Sequence, residues 1–186
     1  WMGVKDSKLL SKTVREELFE RIKEVIVDFR VEVIEPDAID HALKDPDLNL
    51  NWLEAETSAR IVSELNPDKI ILDCPSTNIN SYKSYVYERL SKAVKDKAEL
   101  IVEHKADLNY ISVAAASIIA KVIRDRQIEH IKLEVGIDFG SGYMSDEKTQ
   151  QFIKKYFLKH PQYFRKSWES YKRLVREADQ RRLFDY

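Results

Sequence analysis

The chain has 186 residues, 44% of them apolar, with 31 Lys and Arg against 32 Asp and Glu and a single cysteine. That length suits one domain with a sizeable core, and a near-zero net charge excludes a uniformly basic, polyanion-coating protein. Cys74 alone cannot form an internal disulfide, and no apolar run approaches the roughly 20 residues that span a bilayer, so a cytoplasmic chain without a membrane partner is expected.

In chain order, Thr13-Val14-Arg15-Glu16 fits a capping box, and Leu18, Phe19, Ile22, Val25 and Ile26 follow at helical spacing. Phe29 to Ile34 alternates like a strand and Pro36 closes it. Asn51 with Glu54 three residues on predicts the cap of the next helix, whose apolar face holds Leu53, Ala55, Ala59, Val62 and Leu65 before Asn66-Pro67 ends it. Lys69 to Cys74 reads as a short buried strand, Ser81 to Val94 as a helix, and Leu100 to His104 as a second buried strand. A long helix from about Val113 to Leu133 leads into a glycine-rich loop. Two further helices follow, the first capped at Ser145 with Asp146 and Glu147 in its first turn, where acids suit the helix dipole. Strands alternating with helices predict an α/β sheet with at least partly parallel pairing.

Asp73 and Asp107 each close an apolar strand, at the sheet edge where open α/β folds bind ligands. Two carboxylates brought together there repel unless protonated or bridged by cations, and hard oxygen donors suit magnesium or manganese. The plainer alternative is that each aspartate caps the element after it. From Lys154 to Arg182 there are ten basic residues against three acids, while the first 153 residues carry 21 basic and 28 acidic ones. That tail is either a footprint for phosphates or a solvated helix face. There is no P-loop, no G-x-G-x-x-G and no H-E-x-x-H, which removes nucleotide-kinase, dehydrogenase and zinc-protease readings.

Seven segments in order carry a family resemblance: Lys5-Asp6-Ser7-Lys8, Asn49-Leu50-Asn51, Asp73 with Cys74, Glu103-His104-Lys105-Ala106-Asp107, Ala114 to Lys121 with Arg124-Asp125, Gly140-Ser141-Gly142-Tyr143, and Arg165-Lys166-Ser167-Trp168. Together they resemble ribonuclease HII, the type 2 ribonuclease H family, in an archaeal style. Such motifs are weak singly and strong in ordered series. The resemblance implies an α/β, ribonuclease H-like mixed sheet flanked by helices, with a core at 1–140 and a C-terminal helical extension of the same domain at 141–186. It implies a metal-dependent endoribonuclease, expected as a monomer, that hydrolyses the RNA strand of RNA–DNA hybrids. The same enzyme would cut 5′ to ribonucleotides embedded in duplex DNA.

By that resemblance Asp73 and Asp107 are catalytic and hold two Mg2+ or Mn2+ ions roughly 4 Å apart, one activating water and one stabilising the leaving oxygen. Tyr143, with Gly142 and Ser141, would read the sugar, where the 2′-hydroxyl distinguishes RNA from DNA. Read without the family, Tyr143 is an ordinary exposed loop tyrosine. Lys5, Ser7 and Lys8 would lie near the nucleic-acid backbone, and Arg165 and Lys166 would bind substrate. Lys121 and Ser117, four apart on one helix face, would orient a carboxylate or phosphate, although Ser117 equally suits packing. His104 reads as structural rather than as a ligand.

Three departures accompany the match. Met144 stands where the family has proline, which is expected to loosen the tyrosine loop. Lys166 replaces an arginine, keeping the charge but losing the bidentate fork. The family's opening D-E-x-G-R-G segment, source of two of its four acidic ligands, does not occur, and the chain begins at Trp1. The expectation is that the first central strand is missing and that the strand at Phe29 to Ile34 loses its route into the sheet. Unpaired buried edges cost roughly 1–3 kcal/mol per group, so the chain alone is expected to be poorly stable and inactive. The alternative function is a catalytically inactive remnant that binds nucleic acid or a sliding clamp. Gln180 to Tyr186 resembles a clamp-binding peptide, with Gln180, Leu183, Phe184 and Tyr186 as contacts, or is a frayed basic tail.

Overall fold

The structure, a computed structural model, describes residues 10–184. Helix α1 (Lys12–Val25) starts after Ser11, whose hydroxyl accepts the Val14 amide at 3.3 Å. The cap is therefore Ser11 and not Thr13, which lies inside the helix: Ser11 has the extended backbone (φ −65°, ψ 159°) that a capping side chain requires. Leu18, Phe19 and Ile22 form its buried face.

The alternating run Phe29 to Ile34 is not a strand. Alternation makes a strand only where a ladder partner exists, and Val31 and Val33 remain exposed, as does Val27 just before the run. Helix α2 (Pro36–Ala42) follows, opened by a proline whose missing amide costs nothing in the first turn. Helix α3 (Leu50–Leu65) already contains Asn51, which is not its cap, and buries Ala55, Thr57, Ala59 and Val62.

Strand β1 (Lys69–Asp73) leads to α4 (Ile79–Arg89), capped by the Asn78 side chain accepting the Ser81 amide at 3.0 Å. The expected single helix to Val94 breaks, and α5 (Lys92–Lys95) is separate. Leu90 turns extended and the Ser91 amide donates to Ser63 Oγ on α3 at 3.0 Å, a tertiary bond that local periodicity does not encode. Strand β2 (Glu99–Glu103) runs parallel to β1 in a register from Lys69 opposite Glu99 to Asp73 opposite Glu103. The one-turn α6 (Ala106–Asn109) and the long α7 (Ile111–Val135) come next. Helix α8 (Glu147–Tyr156) is capped by Asp146, which accepts the Lys148 amide, and not by Ser145. A 3-10 turn at Pro161–Tyr163 precedes α9 (Glu169–Phe184). Among the described residues no helix is long and apolar enough to cross a membrane.

The chain forms two compact units, one from the chain up to Glu32 with Asn51–Gln127, the other from Val33–Leu50 with Ile128 onward. In the first, α3, α4 and the two strands enclose Ala55, Ala59, Tyr82, Val86, Leu100 and Val102. A second cluster packs Leu18, Phe19 and Ile22 of α1 on Ala114, Ala115, Ile118, Ile119 and Val122 of α7. The second unit is centred on buried Phe139, Phe152 and Phe157, the first two stacked with centroids 4.6 Å apart. The result is the expected α/β chain, mostly helical with a small parallel sheet.

Candidate active site

Two apolar strands in parallel register deliver their C-terminal ends to one rim, because Asp73 closes β1 opposite Glu103 of β2. The ladder continues one step, with the Cys74 amide donating to Glu103 O at 3.0 Å. His104 Nδ1 contacts Cys74 O at 3.1 Å. The chain then reverses at Lys105, a non-glycine residue in the left-handed region (φ 57°, ψ 37°). Such a conformation costs about 1–2 kcal/mol and persists only where surrounding contacts impose it. It turns the Ala106 amide onto Asp73 Oδ1 at 3.2 Å. Asp107 is the next residue, in the first turn of α6, one residue beyond the amide that binds Asp73.

The rim is more acidic than the sequence suggested. Glu54 of α3 leaves part of its side chain in solvent, yet burial of its carboxyl, reinforced by the Asp73 charge, raises its pKa. The buried Tyr82 hydroxyl titrates well above its ordinary value, first through burial and then through Glu54 and nearby acids. Sequence reasoning gave Glu54 only a capping role; its position four residues after a helix start carried no signal of a long-range neighbour at Asp73. Asp73 and Asp107 are hard oxygen donors of the kind that suit Mg2+ or Mn2+. Among the described residues no group of three or more His, Cys, Asp or Glu could hold a metal ion. Two carboxylates alone do not complete a hard-cation site, so substrate, water or further chain would have to supply the remaining donors.

Lys121 is committed to its own helix, its ammonium 2.8 Å from Asp125 Oδ1 one turn on. Asp125 also takes Arg124 at 3.2 Å and Arg15 of α1 at 2.9 Å. Burial opposes its ionisation, but the hydrogen bonds from Lys121, Arg15 and Arg124 prevail and lower its pKa. Ser117 is half-buried on the same face.

In the second unit Gly140 (φ 80°) and Gly142 (φ 74°) both adopt the left-handed backbone that glycine tolerates. Ser141 donates its amide to Asp146, Gly142 donates its amide to Thr149, and Tyr143 is 46% exposed. At Met144, Gln150 Nε2 donates to the backbone carbonyl at 2.8 Å. The Arg165 to Trp168 segment docks on α2. Asp40 accepts from the amides of Lys166 (2.5 Å) and Ser167 (3.1 Å) and from the Ser167 hydroxyl (2.5 Å). Lys166 Nζ pairs with Asp37 at 2.8 Å, and the Arg165 guanidinium lies 4.2 Å over the Trp168 ring. Burial lowers the Arg165 pKa, with Asp40 opposing. The Asp37 and Asp40 partners were missed, although their spacing of three places both on one helix face. Gln180 lies in α9, and Leu183 and Phe184 fall in its last turn. Lys5, Ser7, Lys8 and Tyr186 lie outside the described residues.

A family model described as ribonuclease HII matches residues 1–171. Ribonuclease HII of Thermococcus sibiricus is 39% identical over 194 residues, covering 100% of this chain and 83% of its own length. The crystal structure of ribonuclease H2 from Pyrococcus horikoshii OT3 matches with a TM-score of 0.82 at 35% identity, over 95% of this chain and 82% of that one. A chain of the PCNA:RNase HII complex from Archaeoglobus fulgidus matches with a TM-score of 0.71 at 38% identity, over 85% of this chain and 72% of that one.

Proposed function

The chain belongs to the ribonuclease HII family, and from that premise we propose that it cleaves the RNA strand of RNA–DNA hybrids and cuts 5′ to ribonucleotides embedded in duplex DNA. The observation that supports this reading is the Ala106 amide on Asp73 Oδ1, which ties the end of β1 to the residue before Asp107. In the reaction a water oxygen attacks the phosphorus and the bond to the 3′ oxygen breaks, leaving 3′-hydroxyl and 5′-phosphate ends. Divalent cations, Mg2+ or Mn2+, held by Asp73 and Asp107 supply water activation and charge neutralisation in a two-metal hydrolysis.

The chain's own groups do the rest. The Ala106 amide fixes one Asp73 oxygen. Tyr143, presented by Ser141 and Gly142, packs on the ribose and gives selectivity for the 2′-hydroxyl. Arg165 contacts phosphate, while Lys166, already paired with Asp37, adds charge without a bidentate fork. Lys121 and Ser117 orient the site from α7, and Lys5, Ser7 and Lys8 track the nucleic-acid backbone. The tail from Gln180 onward binds a sliding clamp, a reading supported by the PCNA complex of the Archaeoglobus relative.

The test is nicking of a DNA duplex with one embedded ribonucleotide by the protein that carries this chain. Cleavage 5′ to the ribonucleotide is expected with Mg2+ or Mn2+, none after chelation, and none of the all-DNA duplex. Binding without cleavage under every divalent cation would instead favour a non-catalytic nucleic-acid-binding role.

A further inference from the structure

Side chains on both sides of the glycine loop hold its backbone: Asp138 before it, and Asp146 and Thr149 at the start of α8. Gly140 N donates to Asp138 Oδ1 at 3.1 Å, Ser141 N to Asp146 Oδ2 at 2.7 Å and Gly142 N to Thr149 Oγ1 at 3.0 Å. The Thr149 hydroxyl in turn donates to Phe139 O at 2.8 Å, and Thr149 is only 3% exposed. One buried hydroxyl therefore ties both the entry and the middle of the loop to the helix. The exit is tied as well, with the Asp146 amide donating to Tyr143 O at 3.0 Å. The fit is close: a Cβ on Gly140 would lie 2.4 Å from Asp146 Oδ2, so any side chain there would displace the carboxylate that holds the Ser141 amide. A ring that must lie against one sugar needs such a fixed backbone, since misplacement by about 1 Å can cost about 100-fold in rate.

We propose that Asp146 and Thr149 are positioning residues for substrate selection, holding Gly140 to Tyr143 so that the Tyr143 ring meets the ribose at the cleavage junction. This rests on the reading of Tyr143 as the sugar contact. Neither residue touches substrate; both act through the loop.

The experiment measures nicking of the single-ribonucleotide duplex by the full protein carrying Thr149→Val, Thr149→Ser, Tyr143→Ala, or Tyr143→Ala with Thr149→Val. Hydrogen exchange of the 140–144 amides is followed alongside, without substrate. Thr149→Val is expected to speed that exchange and lower kcat/KM roughly tenfold, as a buried donor and acceptor lose their shared partner. Thr149→Ser, which keeps the hydroxyl, should return both to within about twofold. In the Tyr143→Ala background Thr149→Val should cost nothing more, because the two act as one unit. Asp146→Ala serves as the second variant, with the same expectations, should Thr149→Val fail to fold. Faster exchange with unchanged kcat/KM, or losses that multiply in the double variant, overturns the positioning role while leaving Tyr143 as the sugar contact. Full activity of Tyr143→Ala overturns the sugar reading itself, and the proposal with it.

Discussion

The Ala106 amide donates to the Asp73 carboxylate at 3.2 Å, joining residues 33 apart in sequence. Two features create that bond: the parallel register that sets Asp73 opposite Glu103, and the left-handed turn at Lys105 that redirects the chain after β2. Asp107 follows directly after the bonded amide, in the first turn of α6.

Asp73 and Asp107 should therefore be separable by stability though not by activity. Asp73→Asn and Asp107→Asn are each expected to lower nicking by more than about 100-fold, as loss of a ligand to a catalytic cation does. Asp73→Ala should in addition lower the unfolding free energy by about 1 kcal/mol, because the Ala106 amide loses its acceptor. Paired nicking assays and urea melts test this, and an Asp73→Ala variant as stable as Asp107→Ala would contradict the bond's importance.

Asp125 gathers Arg15, Lys121 and Arg124 and joins α1 to α7. Replacing it with alanine should cost about 1–3 kcal/mol, because partly buried cations lose their acceptor. Its pKa is lowered in the folded state, so the stabilisation is present above the unfolded carboxylate pKa and is lost as pH falls through the folded one. Urea melts of the parent and Asp125→Ala should thus converge in acid. A difference that persists undiminished at low pH would assign the effect to packing.

Asp40 offers the same kind of readout in the second unit. Burial opposes its ionisation, but the Ser167 hydroxyl and amide and the Lys166 amide outweigh it and lower the pKa. The sign is that of a depressed carboxylate: stabilisation holds above the unfolded pKa near ~3.9 and fades as pH drops through the folded value. Asp40→Asn is expected to accelerate hydrogen exchange of the Lys166 and Ser167 amides at neutral pH and to make little difference in strong acid. Equal protection at neutral pH would show that the loop is held by Lys166–Asp37 and the Arg165–Trp168 stack instead.

The tail prediction is independent of catalysis. Removal of residues 180 to 186 should abolish capture by a sliding clamp while nicking stays within about twofold, since the motif docks through its own short peptide. Clamp capture by the shortened protein would dismiss the tail as the docking element.

Much of the chain was legible because its signals are local. The apolar runs before Asp73 and at Leu100 to Val102, the small-residue periodicity of α7, and the glycines at 140 and 142 each specify their backbone within a few residues. Other readings failed where a distant partner decided. The alternation from Phe29 to Ile34 has no ladder to join among the described residues, and the helix after Asn78 stops at Leu90 where Ser91 bonds to Ser63. Capping signals fell on the wrong neighbour three times, at Thr13, Asn51 and Ser145, because several adjacent residues can cap and backbone conformation selects one.

By itself, then, the sequence determined most of the helices, the two apolar strands that precede Asp73 and Asp107, and the family. Each of these follows from spacing, composition or ordered motifs. Only the tertiary structure decided that Glu54 lies in the field of Asp73, that Asp37 and Asp40 hold the Arg165–Trp168 segment, and that Thr149 bridges the glycine loop. These are charge and hydrogen-bond pairings between side chains that neighbour each other only after the chain has folded, and no periodicity along the sequence records them.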